Sequence, residues 1–252
     1  MGSIPKKVAE RLVDGIKKFK PIVEQQRTKD IAEADTVILV TEILANVFGY
    51  DKFTEITSEF AVKNKWCDLA TKIDEKVQTL IEVKAIGHEL KQPHCDQAVF
   101  YAANHPTCMW VLLTNGQIWR AYAVKNCKPI EQELVVEIDF LALDHKSEDD
   151  LSLLYLFCKE GWAKSAIDDY QTQREALSRY LIGAVLLSEP VLAVVRRELK
   201  RVSPDVHIEQ ADIQQVLVNE VIKRDVLDGE KAEAAEKRVF KAAKVALRES
   251  PE

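Results

Sequence analysis

Apolar side chains recur at helical spacing near the start of the chain, where Val8, Leu12, Ile16 and Phe19 form one stripe across residues 4–20. Pro21 marks the expected stop of this basic amphipathic helix, which is suited to docking on a neighbouring domain or subunit. A second helix is predicted from Thr28 or Asp30 to Gly49, a glycine placed to end it as a C′ residue. The period then shortens to two. Strands are predicted near 56–62, 66–73 and 77–85, the last two separated by the polar break Asp74-Glu75-Lys76. Pro93 fits the first turn of a short helix that runs to about Ala103. Strands near 107–114 and 117–124 close on Asn115-Gly116, a strong two-residue hairpin signal. Val135-Val136-Glu137-Ile138 adds an edge strand. This order predicts an α/β fold, a mixed β-sheet flanked by helices.

From about Ser147 the period is helical throughout, with helices predicted at 148–160, 165–187, 189–201, 209–226 and 230–248. Leu177, Leu181, Ala184 and Leu187 give one apolar stripe, and Ile213, Leu217, Val221 and Ile222 another. Three regions follow: an N-terminal amphipathic helix over 1–27, an α/β domain over 28–145 and an all-helical C-terminal module over 146–252. No chemistry is legible in the module. It is expected to serve a homodimer contact or a partner subunit.

Composition changes this picture little. The chain has 252 residues, 47% hydrophobic and 30% charged, enough for a substantial core. No apolar run approaches membrane-span length and Met1 to Lys7 lacks a secretory h-region, so a cytoplasmic location and no membrane partner are expected. The five cysteines are too scattered for a zinc site, and His94-Cys95 and His105 with Cys108 find no completing ligands. Charge is more informative. The net −6 disfavours simple nucleic-acid affinity, yet the excess acid is confined to residues 131–175, and residues 1–130 are slightly basic.

The candidate chemistry lies in the second and third strands. With a three-residue loop, Ile73 faces Val77, and stepping outward sets Asp68 opposite Glu82. Directly opposed residues have Cβ atoms about 4.5–5.5 Å apart. Glu82 and Lys84 share a face, and Val83 points the other way. Opposed like charges destabilise a sheet, so the pair calls for compensation, and a divalent cation with oxygen ligands is the natural candidate. A loop of two or four residues would shift the register and separate the carboxylates.

Asp68, thirteen intervening residues and then Glu82-Val83-Lys84 resembles the Asp…Glu-x-Lys signature of the PD-(D/E)XK nuclease superfamily. The surrounding sequence is similar to the N-terminal nuclease domain of type I restriction enzyme R subunits and its stand-alone relatives. The likeness extends to Glu33-Ala34-Asp35-Thr36, Glu59, the Gln97-x-x-x-Tyr101 element, and Val111 to Gly116 followed by Trp119. It covers roughly residues 28–125, and Cys67 stands where the family name has proline.

The resemblance implies a restriction-endonuclease-like core and a Mg²⁺-dependent deoxyribonuclease, an endonuclease of restriction or defence type acting on DNA, with Mn²⁺ able to substitute. It implies Asp68, Glu82 and the Val83 carbonyl as metal ligands, and Lys84 beside the attacking water. Gln97 and Tyr101, four apart on one helix face, are expected to hold a phosphate or the site's carboxylates, with Glu33 as a supporting acid. Lys84→Ala is expected to abolish cleavage at little cost in stability. No G-x-x-x-x-G-K-[ST] loop is present, so DNA translocation in the type I manner is expected to require another protein. The alternatives are a non-catalytic module that binds nucleic acid or a partner, and a subunit active only within a larger complex.

Overall fold

The structure, a computed structural model, describes residues 3–249 apart from 64, 106, 107, 126 and 128. It divides into two compact units, Met1–Asp169 and Tyr170–Glu252.

The first unit is an α/β domain around a six-stranded sheet in the order β1 (Ile56–Val62), β2 (Lys65–Ile73), β3 (Lys76–Val83), β4 (Trp110–Thr114), β5 (Ile118–Lys125) and β6 (Glu131–Asp139). All neighbours are antiparallel except β3 and β4, which run parallel and are joined through α3 (Gln92–Ala103). The sheet is therefore mixed. Helix α3 covers one face, where Cys95, Ala98, Tyr101 and Ala102 pack with Ala70, Leu80, Val111 and Leu113. Trp119, paired with Thr114, lies on the opposite face, where its ring meets Phe48 edge-on at 5.1 Å and Phe157 at 6.3 Å.

Helix α1 (Lys6–Lys29) runs through Pro21 instead of stopping there. An interior proline costs about 3 kcal/mol. The continuation buries Val23 completely beside Leu12, Ile16 and Phe19, which returns about 1.5–3 kcal/mol. Arg27 and Lys29 also favour the last turn's negative end. Helix α2 (Glu33–Asn46) ends in a turn that carries Gly49 at φ +85°, as that glycine predicts.

The β4–β5 hairpin is displaced by one residue from expectation. Asn115 N–H reaches the Ile118 carbonyl at 3.3 Å, so the turn residues are Gly116 and Gln117. Gly116 sits at φ +82°, the left-handed region that favours glycine. Asn115 is buried and closes the loop with its side chain: Oδ1 accepts from Ile118 N–H at 2.8 Å, and Nδ2 donates to the His88 carbonyl at 2.9 Å. The start expected for β4, at 107, lies outside the described residues.

The division falls after Asp169, beyond the 145/146 boundary expected. Helices α4 (Glu148–Tyr155) and α5 (Lys159–Ala163) belong to the first unit. Arg11 of α1 holds them there: its guanidinium binds both Glu160 oxygens, at 2.8 and 2.7 Å, and donates to the Val47 carbonyl at 3.0 Å.

Helix α6 (Ala166–Ala176) crosses the boundary. The second unit is helical, with α7 (Arg179–Leu186), α8 (Glu189–Val202), α9 (Gln210–Val216), α10 (Arg224–Leu227) and α11 (Glu230–Glu249). The single helix expected over 165–187 breaks at Ser178, whose hydroxyl caps α7 by accepting from Leu181 N–H at 3.2 Å. A π-helical turn over Leu217–Val221 interrupts the helix expected over 209–226, and Val221 is left exposed. Among the described residues, no helix is long and apolar enough to cross a membrane.

Candidate active site

The β2–β3 hairpin brings the candidate acids together by a different route from the three-residue loop. Asp74 and Glu75 form a two-residue turn at φ 50° and 62°, with Ile73 opposite Lys76 and Lys72 opposite Val77. Positive φ at both central residues is the hallmark of a type I′ turn, normally made by Asn-Gly or Asp-Gly. Alone, that turn would put Asp68 out of step with Glu82. A bulge after Thr71 inserts Gln78 as an extra residue and restores the count: Thr71 pairs with Thr79, Ala70 with Leu80 and Leu69 with Ile81. The buried Thr71 and Thr79 hydroxyls share a hydrogen bond of 2.6 Å, which pins the corrected register. One step further, the Asp68 carboxylate accepts a hydrogen bond from Val83 N–H at 2.7 Å.

The site thus forms at the C-terminal end of β3, beside the C-terminal end of its parallel neighbour β4. Lys84 N–H donates to the Thr114 carbonyl at 2.9 Å, directed toward β4. Backbone alternation directs Val83 N–H, and with it the Val83 carbonyl, to the β2 side where Asp68 lies. The Glu82 side chain is buried at 1% exposure, and its Oε1 accepts from Lys84 Nζ at 2.5 Å. Glu82 Oε2 is buried without a hydrogen-bond partner. Lys84 Nζ also lies 3.8 Å from Glu33 Oε2 in the first turn of α2, so the supporting acid and the lysine are brought together.

The electrostatics describe a site short of positive charge. Burial, followed by the repulsion of Asp68 and Glu33, outweighs the Lys84 ammonium and pushes Glu82 up to about 7 from its ordinary 4.5. Burial also raises Asp68, against the Val83 N–H and Lys84, which act the other way. For Lys84, burial pulls down, but the hydrogen bond to Glu82 and the charges of Glu82, Glu33 and Asp68 together hold it above its usual value. Lys84 is not the surface residue on which the expectation of a low stability cost rests. It is 15% exposed and neutralises a buried carboxylate, so its loss strands that charge.

Gln97 and Tyr101 do share a helix face, and Gln97 Nε2 donates to the Tyr101 hydroxyl at 3.2 Å. That hydroxyl in turn donates to the Trp66 carbonyl at 2.8 Å, a bond to backbone and not to the carboxylates. Tyr101 still senses the cluster: burial raises its phenol, the Gln97 hydrogen bond opposes this, and Glu82 and Asp68 raise it further. Glu59 lies in β1 at φ 49° with its side chain exposed and no part in the cluster's hydrogen bonds. His94 and His105 cap local turns, with Nδ1 accepting from Lys91 N–H at 3.2 Å and from Cys108 N–H at 3.0 Å respectively. Cys95 and Cys108 beside them are buried.

Sequence reasoning missed the Trp66 carbonyl and the Val83 N–H, which hold Tyr101 and Asp68 in place. Backbone partners leave no trace in residue identity.

Among the described residues, no three His, Cys, Asp or Glu side chains cluster as a metal site. The donor set here is two carboxylates, with the Val83 carbonyl on the Asp68 side, a number and type that suit Mg²⁺, which keeps several waters. The partnerless Glu82 Oε2 and the raised acids fit a hard cation in the same place. Compared with known protein families, curated proteins and solved structures, the chain matches none.

Proposed function

We propose that this chain is a divalent-metal-dependent endonuclease of restriction or defence type, hydrolysing DNA phosphodiester bonds with a restriction-endonuclease-like core. The observation that carries the reading is the buried, partnerless Glu82 Oε2 within a cluster of Asp68, Glu82 and Lys84. A purely structural sheet end has no need to bury an acid pair whose protons it then holds too tightly. An acid pair of this kind is suited to holding a cation.

Asp68, Glu82 and the Val83 carbonyl would hold Mg²⁺, with Mn²⁺ able to substitute. When bound, the ion supplies Lewis acidity to a phosphoryl oxygen. Against burial, the Glu82 hydrogen bond and the charges of Glu82, Glu33 and Asp68 hold Lys84 above its usual value, which favours the ammonium. Its ammonium can orient the attacking water and offset charge developing on the phosphoryl group. Tyr101 acts as a positioning residue through its tie to Trp66. Gln97 is exposed and keeps an amide N–H and its carbonyl oxygen for a phosphate or a base edge. Glu33 tethers the lysine from the side of α2. The helical second unit serves as a homodimer or partner-subunit contact.

The test is incubation of supercoiled plasmid with the protein in Mg²⁺ or Mn²⁺ against an EDTA control, with Glu82→Gln and Lys84→Ala alongside. Ion-dependent nicking lost in both variants supports the reading. No nicking by wild type under any condition, with nucleic-acid binding intact, favours a non-catalytic binding module.

A further inference from the structure

We propose that the second unit docks a second copy of this chain, with the apolar stripe of α8 at the centre of a twofold contact. The proposal narrows the contact role given to that unit above and rests on it, independently of the chemistry in the first unit. The second unit, Tyr170–Glu252, has about 80 residues and is near the lower limit for a self-sufficient core. Among its described residues, the large apolar side chains that are buried are Leu192, Ile213 and Val226, joined by the small Ala232 and Ala235. Eleven others, from Leu177 to Phe240, stand exposed. Helices that bury so little resemble half of a core, as the interfaces of obligate homodimers do. Helix α8 shows which side is open. Leu192 is buried, and Arg196, one turn on, donates from Nε to the Ile208 carbonyl at 2.7 Å, so these two mark the side held to the rest of the unit. Val191, Val195, Leu199 and Val202 recur at spacings of four, four and three, which places them on one face, turned to one side of Leu192. Val191 and Val195 are partly buried, but Leu199 is 40% exposed and Val202 82%.

The area matches a dimer. A whole aliphatic side chain carries roughly 100 Å² of apolar surface, so eleven at about half exposure offer on the order of 500 Å². A standard specific contact buries about 800 Å² on each partner, and about 65% of a homodimer's contact is apolar, which is close to the same amount. Helix α8 alone does not supply it, so neighbouring helices join the contact. Charge favours a copy over a different partner. Residues 170–252 hold 14 Lys and Arg against 14 Asp and Glu. Several pair within the unit, such as Arg179 with Asp225 at 2.7 Å and Arg201 with Glu198 at 2.9 Å. A neutral unit does not repel its own copy, and it lacks the net charge that would draw nucleic acid or an oppositely charged protein. A twofold axis brings the same patch to both sides, so one stripe serves as both halves of the contact.

The experiment is sedimentation equilibrium of the full chain across the micromolar range. Wild type should be a dimer, and its thermal midpoint should rise with protein concentration, as linked assembly requires. Val202→Asp enters the contact twice by symmetry and should raise the dimer dissociation constant by about 30-fold or more, whereas Val202→Ile should stay dimeric. Leu199→Lys, on the same face, is a second probe with the same expected direction. Phe53→Asp, at a position of the first unit that is 90% exposed, should leave the dimer intact. Val202 is open to solvent in the single chain, so its aspartate variant should fold, with circular dichroism as the check. A monomeric wild type overturns the proposal: if it binds an apolar dye, the contact role survives for a different protein, and if it does not, that role falls as well. A dimer that both Val202→Asp and Leu199→Lys leave unchanged, or one that Phe53→Asp dissociates, also overturns it. Sedimentation reads no cleavage, so a dimer that fails to nick plasmid overturns the nuclease reading alone, and a monomer that nicks it overturns the contact alone.

Discussion

Glu82→Gln isolates the electrostatic strain at the site. Glu82 is held at about 7 in the folded protein against an ordinary 4.5, a difference of about 2.5 units or about 3 kcal/mol. Between those values the folded state binds more protons than the unfolded state, so stability falls as pH rises through the window and levels off above it. Glutamine keeps the shape and has no proton to lose. The stability of wild type minus that of Glu82→Gln should therefore fall by about 3 kcal/mol from pH 4 to pH 8.5, most steeply between about 4.5 and 7. The Lys84 partner lost in the variant adds an offset, so the slope and not the absolute difference is the quantity to read. Urea denaturation followed by circular dichroism, in EDTA across that pH range, measures it. Repeating the series with Mg²⁺ at about a hundred times its dissociation constant should add about 2.7 kcal/mol to wild type at high pH and little to the variant. A difference that is flat with pH, or that grows with pH, would falsify the strained-carboxylate account. Either result would mean that Glu82 is already compensated by the protein alone.

Lys84→Ala should abolish plasmid nicking and destabilise the fold by about 1–3 kcal/mol at pH 8, with a much smaller effect at pH 5 where Glu82 is protonated. Equal losses at both pH values in paired urea titrations would contradict this. Asp68→Asn keeps an oxygen for Val83 N–H, so stability should stay within about 1 kcal/mol of wild type. Mn²⁺ binding by calorimetry should nevertheless disappear, and retained affinity would remove Asp68 from the ligand set. Tyr101→Phe loses the bonds to Trp66 and Gln97 and should cost about 1–2 kcal/mol by urea denaturation. A neutral result would show that the brace between α3 and β2 contributes nothing.

The strands and the acid pair were legible because their signals are local. Val77 to Ala85 is rich in β-branched residues, and Glu82 and Lys84 share a face whatever the loop does. The turn was not legible, because Asp74-Glu75 takes positive φ at both positions without the glycine that announces it. Nor was the bulge at Gln78, since nothing in that residue's identity marks an extra position. Ser178, by contrast, was a readable cap, passed over inside a long apolar period. The remaining misses are long-range. Pro21 stays helical because Val23 finds a core to enter, and α5 joins the first unit because Arg11 finds Glu160, 149 residues away.

These cases share one physical logic. The register that joins Asp68 to Glu82 is set less by the turn than by the two faces it must satisfy. Leu80 must enter the α3 layer with Ala70, while Thr71 and Thr79 bury their hydroxyls against each other. A one-residue slip would send Leu80 and its neighbours to the wrong side and leave those hydroxyls unpaired. A bulge that leaves one residue unpaired in the ladder is cheaper than that slip. The arithmetic from a three-residue loop therefore reached the right register, through Leu69 and Ile81, by the wrong turn: the core fixes the sum of the paired positions, and the loop adapts to it.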